Sequence, residues 1–350
     1  MVDILIAGDN FILPSLFRDA ILAHATRAGV SDDLRFRELT LPWPQVPFGP
    51  VDGVDEASGS VEELIDALDG VDAAVTQLAP FSRSVIEASP ALRFIGISRG
   101  GPVNCDLDAA SAAGVAVSFA PGRNARAAAE YAVGLILAAT RHLTAAHTEL
   151  ARGVWRGDYY TYENAGIELS GSTVGLIGYG AIGRLVGRIL LAFGSRVLVH
   201  DPYAAVDDLY ADGVEPASLD DLLAASDIVS LHARLTPETT LLLDEAALRR
   251  LRPGAVVVNS ARGGLLDYGA LTRLLADGHL GAAALDVYDV EPPSPDSELL
   301  SLPNVVLSPH LAGASRSTAR RGASIVAEEL VRHLTGAPLA HRANAEVSVS

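Results

Sequence analysis

Residues 173–190 read TVGLIGYGAIGRLVGRIL, and no other stretch constrains the fold as tightly. It sets Gly178-x-Gly180-x-x-Gly183 between an apolar strand and an amphipathic helix, the context in which a glycine-rich turn binds a dinucleotide. Gly178 permits the tight turn, Gly180 lets backbone approach a pyrophosphate, and Gly183 allows close packing of helix on strand. Tyr179, Ala181 and Ile182 complete a helix start that offers amide donors and the positive end of the helix dipole. The next strand, RVLVHD, ends in Asp201 followed by Pro202, 18 residues beyond Gly183. A carboxylate there accepts from a ribose diol and repels a 2′-phosphate, which predicts NAD rather than NADP. The plainer alternative for Asp201 is a turn opener before proline.

The chain around this motif alternates strand and helix. Strands are predicted near 173–178, 196–201, 227–232, 255–260, 280–286 and 305–308, at intervals that suit crossover helices and therefore a parallel, doubly wound sheet. A similar alternation comes earlier, with strands at 3–8, 33–39, 72–78, 93–98 and 114–120, a helix at 14–28 and another at 61–70. Residues 41–60, rich in proline, glycine and acids, read as a loop. Residues 124–150 read as one long helix, leading into a glycine- and aromatic-rich excursion at 152–166. A last helix, 315–336, is followed by a polar end expected to fray. With 350 residues, two domains are the natural reading.

Composition removes several function classes. The 26 basic residues are all arginine. Schiff-base chemistry and P-loop nucleotide hydrolysis, which need a lysine, are therefore excluded. A formal charge of −17 argues against non-specific binding to nucleic acid or anionic membrane. No window approaches a membrane span, and the first residues read directly as a core strand without a basic leader. Cys105 is the only cysteine, so no disulfide framework or multi-cysteine metal site is expected, which suits the cytoplasm.

Three segments fall at predicted carboxyl ends of strands, where open α/β sheets bind ligands. NSARGGLLD carries Arg262, LDVYDVEPP carries Glu291, and LSPHLAGAS carries His310. Taken singly, each has a plain structural explanation: a surface ion pair, a turn, a core histidine. Together, beside a dinucleotide site, they supply what hydride transfer to a 2-oxo acid needs. Arginine clamps a carboxylate with two parallel hydrogen bonds. A histidine delivers the proton that the carbonyl oxygen gains. A carboxylate on the far side of that imidazole fixes its tautomer and raises its pKa.

With these motifs the chain resembles the NAD-dependent D-2-hydroxyacid dehydrogenases. The resemblance covers about residues 70–335 and includes GPVNCDLDAA, PGRNARAAAEYAVGLILAATR, GYGAIG, SARGGLLD, ALDVYDVEP and SPHLAG. The separations Arg262–Glu291 (29) and Glu291–His310 (19) match the family's Arg–Glu–His set. The resemblance implies that Arg262 binds substrate carboxylate and carbonyl, that His310 is the acid/base, and that Glu291 is its partner. It implies that Asp286 contacts the nicotinamide carboxamide, and that His232, Ala233, Thr239, Ala261 and Gly313 join Arg262 and His310 around the cofactor. It also implies two flavodoxin- or Rossmann-like domains with the active site in the cleft between them. Residues 1–119 plus 312–350 would form a discontinuous substrate domain, and 120–311 a NAD-binding domain, with hinges near 119–124 and 310–314. A dimerisation arm at about 124–170 would make a homodimer, with Trp155, Tyr159, Tyr160 and Tyr162 packing across the two-fold axis. Those aromatics could equally form a satellite core under their own loop.

The family's glycine-rich loop is ISRGGPVNCD here, and its Gly100 and Gly101 are expected to present amides to the substrate carboxylate. Arg99 carries two readings: a pair with one of the acidic residues, or recognition of a second anionic group such as phosphate, phosphonate or carboxylate. Thr76 and Gln77 stand where phosphoglycerate dehydrogenases carry an arginine for the substrate phosphate. Arg234 replaces a usual proline. Glu291 disfavours the formate dehydrogenases, which carry glutamine there. An enzyme reducing a small anionic 2-oxo acid, or oxidising the 2-hydroxy acid, is the leading expectation, with phosphoglycerate dehydrogenase and glyoxylate/hydroxypyruvate reductase as variants. The other class is a NADH-sensing, corepressor-like binding protein of the same fold.

Overall fold

Short strands, apolar where they are buried, form two parallel sheets in this computed structural model, which describes residues 1–344. The chain divides into two units, Met1–Asn124 with Ala314–Ser350, and Ala125–Gly313.

In the first unit the strands are β1 (Val2–Gly8), β2 (Leu34–Thr40), β3 (Gly49–Val51), β4 (Val54–Ala57), β5 (Ala73–Thr76), β6 (Phe94–Ile97) and β7 (Ala116–Phe119). Five of them form a parallel sheet in the order β2-β1-β5-β6-β7. That is the flavodoxin-type order, which reverses direction between β1 and β5. Both faces are apolar, as a parallel sheet with helices on each side requires. Ile4, Ile6, Val75 and Phe94 meet residues of helices Pro14–Ala28 and Arg316–Leu334 on one face, while Leu5, Ala74, Ile95 and Val117 pack with Leu64, Val85 and Ala110 on the other. The segment 41–60, read as a loop, contains the antiparallel hairpin β3–β4, whose register is irregular and which alternation does not reveal. The polar end is held as far as Asn344: its side-chain Oδ1 accepts the Val117 amide at 2.9 Å, and Ala343 N donates to the Val117 carbonyl at 2.7 Å. The fraying expected further on falls outside the described residues.

In the second unit β8 (Thr173–Ile177), β9 (Arg196–His200), β10 (Glu215–Pro216), β11 (Ile228–Leu231), β12 (Ala255–Asn259), β13 (Leu280–Leu285) and β14 (Val305–Leu307) form a parallel sheet in the order β10-β9-β8-β11-β12-β13-β14. The order reverses between β8 and β11, which sets the ligand crevice at the carboxyl ends of those strands.

The helix read over 124–150 is broken. It runs Ala125–Thr140 and resumes at Leu143–Ala151, with His142 at φ 54° between. No local breaker causes this. The returning chain takes the Thr140 carbonyl, which accepts Ile167 N–H at 2.9 Å, and so removes an acceptor the helix needed to continue. Gly166 lies so close that a Cβ there would sit 2.3 Å from the Thr140 oxygen. The His142 ring stacks on Tyr159 and its Nε2 meets the Asn164 carbonyl at 3.0 Å. Among the described residues no helix is long and apolar enough to cross a membrane.

Candidate functional site

The glycine fingerprint falls where β8 turns into the helix Ala181–Ala192. Two of its glycines are required by the protein itself. Gly178 has φ +95°, and a Cβ there would sit 2.6 Å from Ala233 N. A Cβ on Gly183 would sit 2.2 Å from the Gly178 carbonyl oxygen, so helix and strand touch there. A Cβ on Gly180 meets nothing within 4 Å. The space beside Gly180 is therefore kept clear of the protein's own atoms, and the helix that begins there has no capping side chain. An anionic group fits that space, facing the unpaired first-turn amides of Ala181 and Ile182.

Asp201 stands at the end of β9 and serves the fingerprint loop directly. Its Oδ2 accepts from Tyr179 N–H at 2.6 Å and its Oδ1 from Tyr203 N–H at 2.9 Å. An ionised carboxylate has about four lone-pair sites, so capacity for a ribose diol remains. Pro202 is exposed beside it. Two of the side chains near the expected cofactor position are committed within the protein. The Tyr179 ring is 4% exposed and packs in the core, where burial pushes its phenol up to about 12; only its backbone faces the loop. The Thr239 hydroxyl is used within its own turn, accepting from Thr236 N–H at 2.8 Å and donating to the Arg234 carbonyl at 2.7 Å. His232 follows β11 with its Nε2 3.0 Å from Ser230 Oγ, and although part of its surface reaches solvent, desolvation pushes its imidazole down to about 4. It is neutral at ordinary pH. Ala233 is partly buried against Gly178.

Arg262, Glu291 and His310 come from the loops after β12, β13 and β14, three adjacent strands. His310 Nδ1 and Glu291 Oε2 are 2.7 Å apart. The hydrogen bond to Glu291 raises the His310 pKa, against desolvation and the Arg262 charge. For Glu291 burial pushes upward, but the hydrogen bond and charge of His310, the Tyr288 amide and the Arg262 charge outweigh it and leave the carboxyl below its ordinary value. The His310 side chain stays about half exposed, at 49%, so its other nitrogen is open to a ligand. Arg262 is exposed and half committed, one Nη1 donating to the Ala261 carbonyl at 2.7 Å. Gly263 is indispensable beside it: any Cβ would land 1.8 Å from the Tyr288 carbonyl oxygen, in the loop that carries Glu291.

Asp286 has a structural task in the His310 loop. It is fully buried, and its carboxylate accepts from Ser308 Oγ (2.6 Å), Leu311 N (2.7 Å) and Ala312 N (2.7 Å), while its carbonyl accepts from His310 N (2.8 Å). Its first task is to shape the His310 loop, where His310 itself sits at φ +53°, a conformation that non-glycine residues adopt only when their surroundings impose it. Gly313, half-buried, follows that loop. Sequence reading missed the bracing residues. Asn259 donates to the Arg262 carbonyl at 3.0 Å, and the Tyr268 hydroxyl donates to Val287 O. The only signal for Asn259 was its place as the polar residue closing the apolar run AVVVN, and Tyr268 gave none.

In the first unit the guanidinium of Arg99 is engaged by Glu56 of β4, 43 positions earlier. The structure therefore gives the pairing reading of Arg99. Gly100 and Gly101 have open space where a Cβ would stand.

A family model described as "D-isomer specific 2-hydroxyacid dehydrogenase, NAD binding domain" matches residues 133–312. The chain is 38% identical over 90% of its length to a D-3-phosphoglycerate dehydrogenase of Mycobacterium tuberculosis, and spans only 56% of that longer protein. A glyoxylate reductase of Korarchaeum cryptofilum is 37% identical over 84% of this chain and 89% of its own. The solved structure of a D-2-hydroxyisocaproate dehydrogenase superposes with a TM-score of 0.80 at 26% identity, covering 98% of this chain and all of the other. With this family model over half of the chain and relatives of this identity and coverage, the chain belongs to the D-isomer-specific 2-hydroxyacid dehydrogenase family.

Proposed function

We propose that this protein is an NAD-linked 2-oxo acid reductase, or 2-hydroxy acid dehydrogenase in reverse. The hydrogen-bonded His310–Glu291 pair beside Arg262 carries the reading. Residues Gly178–Gly183 and Asp201 would hold the dinucleotide, which supplies or takes the hydride. Glu291 raises the His310 pKa and so favours the imidazolium form, whose outward N–H gives its proton to the carbonyl oxygen as that oxygen becomes alkoxide-like. Arg262 orients the substrate through its carboxylate and withdraws charge from the carbonyl. Gly100 and Gly101 offer amides to the same class of anion. A cytoplasmic setting is in keeping with a single, buried cysteine.

A panel of 2-oxo acids assayed with NADH and NADPH in parallel tests this reading. Turnover with NADH in preference to NADPH is expected. No turnover on any acid, with NADH binding retained, would favour a binding protein of the same fold. A preference for NADPH would overturn the role given to Asp201.

The homodimer also belongs to this reading. Trp155, Tyr160 and Tyr162 are 84%, 96% and 93% exposed, so they do not form the satellite core that the sequence left open, whereas Tyr159 packs under its own loop between His142 and Arg156. Such a row of aromatics suits an interface. Sedimentation should show a dimer that Trp155→Glu with Tyr160→Glu converts to monomer; an unchanged dimer would place the interface elsewhere.

A further inference from the structure

The five-stranded sheet ends in polar atoms that the protein does not satisfy. Ala7 of β1 pairs with Thr76 of β5, and Thr76 with Ile97 of β6, so the residues just past these ends gather at one edge. Asp9, Gln77 and Ser98 stand there, 0%, 6% and 0% exposed. Asp9 Oδ1 accepts from Phe11 N–H at 2.8 Å and Ile12 N–H at 2.7 Å, whereas Oδ2 has no partner among the described residues. Gln77 Oε1 and Ser98 Oγ are equally without one, and so is the buried Nη1 of Arg123. The Arg123 guanidinium sits 5.8 Å from the centre of the Phe11 ring, within electrostatic reach of Asp9. Strand alternation carries Gln77 and Ser98 to the face shared by Val75, Phe94 and the helix Arg316–Leu334, and the Arg123 stem reaches Gly322 of that helix. The edge lies at the β1/β5 switch point, where sheets of this order bind ligands.

We infer that this edge is a binding site for a polyhydroxylated organic acid, so that the substrate class selected is an open-chain 2-oxo sugar acid. An apolar tail would leave all four polar atoms stranded, at a cost for each. A phosphate group brings only acceptors and negative charge to Asp9 and to Gln77 Oε1, and the Arg99 charge that reaches Asp9 is shared with Glu56. A hydroxyl both donates and accepts. One can give its hydrogen to Asp9 Oδ2 while a neighbour receives from Arg123 Nη1, with Ser98 and the Gln77 amide serving either role. The word substrate rests on the reductase reading; the site does not.

The test uses the whole protein and two readouts. In calorimetry without cofactor, D-gluconate should bind at least about tenfold tighter than glycolate, and Asp9→Asn should remove most of that difference. Asparagine keeps the Oδ1 that accepts from Phe11 and Ile12 and changes only the free position. Ser98→Ala, which removes a single unpartnered hydroxyl, gives the same comparison if Asp9→Asn does not fold. In kinetics, the kcat/KM ratio of 2-oxogluconate to glyoxylate should fall about tenfold or more in Asp9→Asn. Gluconate binding no tighter than glycolate, or an unchanged ratio, would mean that ordered water alone fills the edge and would overturn the inference. Tight, Asp9-dependent gluconate binding without turnover of any 2-oxo acid would uphold the site and sink the reductase reading.

Discussion

Replacing His310 with alanine should lower kcat about 10²–10⁴-fold, the usual contribution of a positioned general acid, and leave NADH binding in place. The imidazole is the half-exposed member of the pair, whereas the fingerprint at Gly178–Gly183 lies on other loops of the same sheet. Glu291→Gln separates charge from geometry. The amide oxygen can still accept from Nδ1, but the charge that raises the His310 pKa is gone. Reduction needs protonated imidazole, so its rate is full below that pKa and is lost as pH rises through it. A lower pKa therefore moves the alkaline limb of the reduction profile to lower pH. Oxidation needs the neutral ring, so its acid limb moves the same way. Measured pH profiles of kcat/KM in both directions decide the matter, and a limb that stays in place would remove Glu291 from the role.

Gly178→Ala and Gly180→Ala should both weaken NADH binding but differ in their effect on stability, although they are two residues apart. At Gly178 the φ of +95° alone costs an alanine about 1–3 kcal/mol, and its Cβ would also press into the backbone of His232 and Ala233. A clear fall in thermal midpoint together with lost NADH binding is expected. At Gly180 the added methyl meets no protein atom and φ is −73°, so the thermal midpoint should hold. NADH affinity should still fall about tenfold or more, or 1.4 kcal/mol, because the methyl occupies the space where the pyrophosphate approaches. Thermal unfolding paired with fluorescence titration reads both. Unimpaired NADH binding by Gly180→Ala would move the pyrophosphate elsewhere.

Much of the second unit was legible in sequence because its signals are local. The runs TVGLI, AVVVN and LGAAAL are short, apolar and closed by turns, and their alternation with helices allows few sheets other than a parallel one. Placing Arg262, Glu291 and His310 at strand ends required only the rule that such sheets bind ligands at their carboxyl edge. Legibility failed where a distant segment decides a local outcome. The helix through Thr140 stops because Ile167 takes its carbonyl, and Ala-rich sequence gives no hint of that. The Thr239 hydroxyl and the Tyr179 ring look available in sequence and are engaged or buried in the fold.

By itself the sequence determined the class of fold, the dinucleotide turn and the identity of the three residues suited to acid–base and carboxylate chemistry, since residue type and spacing suffice for these. Tertiary structure alone decided what each charged group is paired with. Arg99 meets Glu56 across 43 residues, Asp286 spends its carboxylate on the His310 loop, and Asp9, Gln77, Ser98 and Arg123 are left buried and incompletely satisfied. Such pairing depends on which chain segments the folded core brings within about 3 Å of one another, and that distance is not encoded in any local pattern of residues.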